Sequence, residues 1–220
     1  MHRAKSIGRC SIAVALATIL LTWPAAGFAQ LGGLLPPLPT PTPTTASTVV
    51  GDASAAQISV LGILGTATTT ALADTGTLTT ANNAVDASTL AGGIPSVLSA
   101  ETLSASTISW ADQVDSEASL GNLSMTVAGV GITADFVMAQ ASQVLGAAGS
   151  GSSTLTNLAI NGTPIAVSGA PNQAIWIPGG QIILNEQTIS STGTAVVNAL
   201  HVVVTGVADV VVASATAGIS

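Results

Sequence analysis

Asp112, Asp115 and Glu117 place three carboxylates within six residues, and Trp110 precedes them by two positions. Carboxylate oxygens are the ligands a hard cation such as calcium takes, so this cluster is the calcium candidate of the chain. The spacing does not reproduce the Asp-x-Asp-x-Asp-Gly loop of an EF-hand, and the competing reading is a solvated turn before a strand. A pair of acids also suits glycoside hydrolysis, where one carboxyl protonates the leaving group and the other attacks or activates water. A sugar site of that kind calls for aromatic platforms and polar clamps, and the chain has no Tyr.

His201 is the second chemically versatile residue. Serines and aspartates abound, yet no G-x-S-x-G elbow accompanies it, and it alternates with Val197, Ala199 and Val203. A hydrogen-bonded, partly buried structural histidine is the expectation. Asn185, Glu186 and Gln187 are expected to close a strand beside a turn. No residue is assigned a catalytic or cofactor-binding role, and calcium is the single candidate cofactor.

The charge distribution narrows the function classes further. All three Lys and Arg residues, Arg3, Lys5 and Arg9, precede residue 10, and all ten Asp and Glu residues follow it. Nucleic acid is excluded as a partner, because phosphate binding relies on cationic side chains and a polyanionic surface repels it. Lysine-dependent isopeptide crosslinks are chemically excluded. An outer-membrane barrel is disfavoured, since its girdles require many aromatics and only Trp110, Phe136 and Trp176 lie beyond residue 28.

The elements that must position these residues follow an export signal. Met1–Arg9 is a basic n-region, Cys10–Trp23 an apolar run, and Pro24–Ala29 offers small residues for cleavage after Ala29. The apolar run is shorter than the ~20 residues a bilayer needs, so no transmembrane segment is expected once residues 1–29 are removed. Cys10 leaves with the signal, and disulfide, zinc-thiolate and cysteine-nucleophile chemistry leave with it. The protein is expected outside the cytoplasm: extracellular, on the cell surface or in the periplasm. Residues 30–48 form a Pro- and Thr-rich spacer of polyproline II character.

From 49 to 220 the pattern is that of strands. Leu123, Met125 and Val127 fall on one face against Asn122, Ser124 and Thr126, and Ile132, Ala134, Phe136 and Met138 are expected on one face of the next strand. Asn161-Gly162 marks a type I′ hairpin between Leu158 and Val167. A second hairpin is read over Ile175–Leu184, and a third from Thr194–Thr205 and Asp209–Ala217, split by Gly206. Helix signals are scarce. The fold class is all-β, an antiparallel β-sandwich, with a β-solenoid as the alternative that unevenly spaced glycines disfavour. With so few aromatics, Val, Leu, Ile and Ala must fill the core, and the two layers should lie close. Val202–Val204 and Val210–Val212 are the segments most prone to aggregate if exposed.

Leu155–Gly218 carries an Asn-Gly hairpin, Pro171-Asn172, Asn185-Glu186-Gln187, Asn198-Ala199-Leu200-His201 and a closing Val-Val-Val-Ala-Ser-Ala strand. Together with Ser116–Ser142, this order of motifs resembles the choice-of-anchor P family of exported bacterial proteins. The resemblance implies a surface or secreted β-rich module of no established activity, and brings no catalytic residues with it. The function expected is therefore a noncatalytic secreted or surface-associated module, envelope-structural or adhesive, with a cell-envelope component or glycan as partner. A calcium-dependent carbohydrate-binding module and, further off, a carboxylate-based hydrolase are the alternatives.

Overall fold

The computed structural model describes residues 48–61 and 67–220. The expected signal and nearly all of the spacer lie outside them. Among the described residues, thirteen strands follow one another with no intervening helix, so the all-β expectation holds. Among the described residues, no helix is long and apolar enough to cross a membrane. In chain order the strands are β1 (Val49–Leu61), β2 (Ala67–Asp74), β3 (Asn83–Ile94), β4 (Leu98–Ser109), β5 (Gln113–Val127), β6 (Val130–Val144) and β7 (Ser150–Thr156). They continue as β8 (Ala159–Ile160), β9 (Thr163–Pro164), β10 (Gln173–Ile177), β11 (Gly180–Ile189), β12 (Ala195–Val204) and β13 (Ala208–Ile219).

Two antiparallel sheets result, and neither closes into a barrel. The first runs β10-β11-β12-β13-β1-β2, and the second runs β3-β4-β5-β6-β8-β9 with β7 also paired to β6. Every pairing is antiparallel, which excludes the solenoid and leaves the sandwich. The second sheet is an excursion from the first: the chain leaves after β2, meanders through β3–β9, and returns to finish with β13 beside β1. Thr48 and Ser220 exchange backbone hydrogen bonds of 2.9 and 3.0 Å at that seam.

The three expected hairpins are β8–β9, β10–β11 and β12–β13. Asn161 and Gly162 adopt φ of 49° and 75°, the left-handed pair that a type I′ turn demands. The valine-rich segments 202–204 and 210–212 are shielded, because β12 and β13 each have strands on both sides.

The core is aliphatic and fine-grained. Ile58, Leu103, Leu120, Ile132, Leu200 and Val202 fill it, interleaved with many buried alanines. The layers are close, as the small residues require: a methyl at Gly51 would strike the Thr107 side chain, and one at Gly151 would strike Val197. Ser116 Oγ donates across the gap to the Thr216 carbonyl (2.6 Å) and lies 3.0 Å from Thr107 Oγ1. A polar pair is thus satisfied inside an otherwise apolar interface.

One feature departs from simple alternation. Asn185 in β11, Ala213 in β13 and Ala73 in β2 have φ of 51°, 54° and 45°. The flanking registers put Asn185 opposite Ala199, Ala199 opposite Ala213, Ala213 opposite Ala55 and Ala55 opposite Ala73. A crease therefore crosses five strands of the first sheet in line. At each step the inward face changes phase, so Ala55 and Ala56, Ala199 and Leu200, and Val212 and Ala213 are buried as neighbours. The second sheet has its own crease, with positive φ at Thr102, Asn122 and Asn157.

This crease corrects the expectation for β6. Ile132 and Ala134 point inward, but beyond Asp135 the phase shifts, so Val137 is buried while Phe136 is 37% exposed. The crease of the first sheet corrects His201: Val197 and Ala199 are buried inward, whereas beyond Ala199 the phase shifts and His201 shares the partly exposed face with Val203. Asn185, Glu186 and Gln187 do not close a strand; they lie inside β11, where Asn185 makes the crease.

Candidate functional site

The three aromatic residues beyond residue 28 are all on the surface: Trp110 is 43% exposed, Phe136 37% and Trp176 80%. Burying an aromatic ring is among the largest hydrophobic gains a side chain offers. Here the close-set layers have no room for rings, and the rings face outward.

Trp110 stands at the lip of a cleft of about 560 Å³ on the outer face of the second sheet. The sheet registers set its floor as a grid. Ile108, Asp115, Ser142 and Ser150 form one row across β4 to β7, and Ser106, Glu117, Gln140 and Ser152 form the next. Asp115 and Glu117 face the same way because they are two positions apart on one strand, with Ser116 directed into the core between them.

The acids are held by neutral amides. Gln113 Nε2 lies 3.0 and 2.9 Å from the two Asp115 carboxylate oxygens, and Gln140 Nε2 donates to Glu117 Oε2 at 2.7 Å. Gln140 Oε1 accepts from Ser152 Oγ at 3.4 Å. The result is a preset array of carboxylate, amide and hydroxyl groups with no cationic side chain in it.

The expected calcium cluster is only partly assembled. Asp115 and Glu117 line the cleft, while Asp112 does not; it sits in the β4–β5 turn, where its backbone carbonyl accepts from Leu145 N at 2.7 Å. Among the described residues, no group of three or more His, Cys, Asp or Glu side chains is arranged to hold a metal ion.

A second polar network crosses the outer face of the first sheet. His201 Nδ1 lies 2.8 Å from Glu186 Oε2, and His201 Nε2 lies 2.9 Å from Asp209 Oδ1. Asn198 Nδ2 donates to the same Glu186 oxygen at 2.7 Å, and Ser214 Oγ donates to Asn198 Oδ1 at 2.8 Å. Three strands are tied through one imidazole, which is hydrogen-bonded and partly buried as expected. Both ring nitrogens face carboxylates and no serine hydroxyl is among their partners, so the geometry of a Ser-His-Asp triad is not formed.

Asp52 holds its proton above the ordinary carboxylate range. Burial pushes its pKa up, neighbouring Asp74 pushes it further, and the Thr77 hydroxyl partly offsets both. It lies on β1, away from the cleft.

Sequence reasoning found Trp110, Asp115 and Glu117 but missed Gln140, Ser106 and Ser152, which reach the cleft from other strands. Register alone brings them together, and register is a property of strand pairing across long sequence separations. No family model, curated protein or solved structure matches the chain.

Proposed function

We propose that this protein is an exported, noncatalytic β-sandwich module that adheres to a component of the cell envelope, and that it does so through the cleft on the second sheet. The observation that carries this reading is the outward placement of every aromatic ring beyond residue 28, with Trp110 beside a ready-made row of hydrogen-bonding groups. An exposed indole and a fixed polar array are what a weak, reversible surface contact uses. The signal read in residues 1–29, the spacer at 30–48 and the resemblance to exported choice-of-anchor P proteins support the same reading.

Bond-breaking chemistry has less to rest on. Asp115 and Glu117 are each tied to a glutamine amide, and His201 is occupied by carboxylates at both nitrogens. Recognition without reaction needs none of these groups to move a proton.

The test is co-sedimentation of the purified chain with isolated envelope material, alongside Trp110→Ala. Retention of the parent chain and its loss in the variant is the expected outcome. Glycan or ester hydrolysis that disappears on replacing Asp115 or Glu117 would replace the adhesive reading with an enzymatic one.

A further inference from the structure

We infer that the ligand of this face is a linear, uncharged polyhydroxylated polymer that lies along the strands from Trp110 to Phe136; the inference rests on the adhesive reading above and specifies its partner. The two rings sit at opposite ends of one face. Trp110 is level with Gln113, because its backbone N–H donates to the Gln113 carbonyl at 2.8 Å, and Phe136 is paired with Gly121. Gln113 to Gly121 is eight residues of β5, about 27 Å at the rise of an antiparallel strand. A small ligand can touch one ring. Only an extended one reaches both.

The surface between the rings is built for hydroxyl groups. Glu117, Gln140 and Ser152 are already joined in one chain of hydrogen bonds, so a sugar meets acceptors and donors whose positions are fixed before it arrives. Rings at the ends suit the apolar faces of pyranose units, and the polar groups suit their edges.

Charge selects among polymers. Asp86 stands beside Ser106 and Ser106 beside Glu117 on this same sheet, and Asp115 adds a third carboxylate. Beyond Arg9 the chain has no Lys or Arg to neutralise an anionic ligand. A uronic-acid polymer or a polyphosphate would meet like charge without compensation.

Phe136 is on this face only because of the crease. Had β6 kept the alternation of Ile132 and Ala134, Phe136 would point into the core. The phase change at Asp135, opposite Asn122 with its φ of 49°, turns the ring outward to join Met138 and Gln140. The crease thus supplies the second platform.

The test is isothermal titration of the purified chain, Trp110→Ala and Phe136→Ala with neutral gluco- and xylo-oligosaccharides, from disaccharide to chains longer than the face. Polygalacturonate and a neutral extended peptide of matching length serve as competitors. Expected are affinity that climbs with length until the face is spanned, and a loss of about tenfold for long chains in each variant, the scale of one aromatic contact. For the disaccharide, only Trp110→Ala should matter. Equal affinity for short and long sugars, insensitivity of long chains to Phe136→Ala, or effective competition by polygalacturonate or the peptide would overturn the inference while leaving an adhesive role standing. Absence of binding to sugars and to envelope material alike, with the β circular dichroism of the parent retained, would overturn both.

Discussion

Gln143 is 2% exposed near the end of β6, and it joins three segments of chain. Its Nε2 donates to the carbonyls of Ala147 (3.0 Å) and Thr192 (3.1 Å), and its Oε1 accepts from Ile219 N at 2.9 Å. Replacing it by the near-isosteric Met keeps volume but removes all three bonds. Each is worth about 1 kcal/mol net, and the orphaned, buried Ile219 N–H adds about 1–3 kcal/mol, against which the gain from the thioether is small. The expected loss is about 4 kcal/mol, a large fraction of the roughly 5–15 kcal/mol a domain possesses. Urea unfolding should show an earlier midpoint at unchanged slope, and Tm should fall by about 10 °C. Gln143→Glu retains the acceptor for Ile219 but aims negative oxygen at two carbonyls, so it should be worse than Met at neutral pH and recover in part as acid restores a donor. A loss below about 1 kcal/mol for Gln143→Met would refute the view that this amide fastens β13 to the second sheet.

The creases make an opposite-signed prediction. Ala73→Gly relieves a left-handed backbone that costs an L-residue about 1–2 kcal/mol and forfeits about 0.5–1 kcal/mol of chain entropy, so it should stabilise by about 0.5 kcal/mol. Ala55→Gly, at the facing position without positive φ and fully buried, should destabilise by about 1–2 kcal/mol; equal effects in chemical denaturation would contradict the backbone assignment. For Asp52 the folded state holds its proton to higher pH than the unfolded chain does, so its contribution to stability declines as pH rises from the ordinary carboxylate range through its raised pKa. Asp52→Asn should therefore raise Tm at neutral pH, with the advantage shrinking toward about pH 4, and a variant less stable than the parent at pH 7 would reverse that sign. Calcium followed by chelator should leave Tm unmoved, since a ligand of the folded state alone must raise it; a calcium-dependent rise would restore the Asp112, Asp115 and Glu117 reading.

What was legible in the sequence is what depends on near neighbours. Asn161-Gly162 announced its hairpin, Gly206 split β12 from β13, and Leu123, Met125 and Val127 declared an inward face, because turn chemistry and strand periodicity are local. Phe136 was misplaced for a physical reason: a period of two assumes uninterrupted extended backbone, and a left-handed residue breaks the phase. Ala73 and Ala213 carry no mark of that conformation, since alanine rarely adopts it, although Asn122, Asn157 and Asn185 hint at it. Gln143 carries no local mark of its role. Its partners at Thr192 and Ile219 are 49 and 76 residues away, beyond any local pattern. The cleft was half legible for the same reason: β5 carries both acids, and the serines and glutamine arrive from β4, β6 and β7.

The seam between β1 and β13 has a mechanical consequence. β1 is the first strand of the described residues, and it is not at an edge: β13 lies on one side and β2 on the other. A pull at Thr48, with the opposite sheet held fast, would draw β1 along its own axis. Its hydrogen bonds to two neighbours would then bear the load together in shear instead of parting one at a time, as they would if an edge strand were peeled away. Loaded this way, the first sheet resists unfolding more than it would if the pull fell on an edge strand.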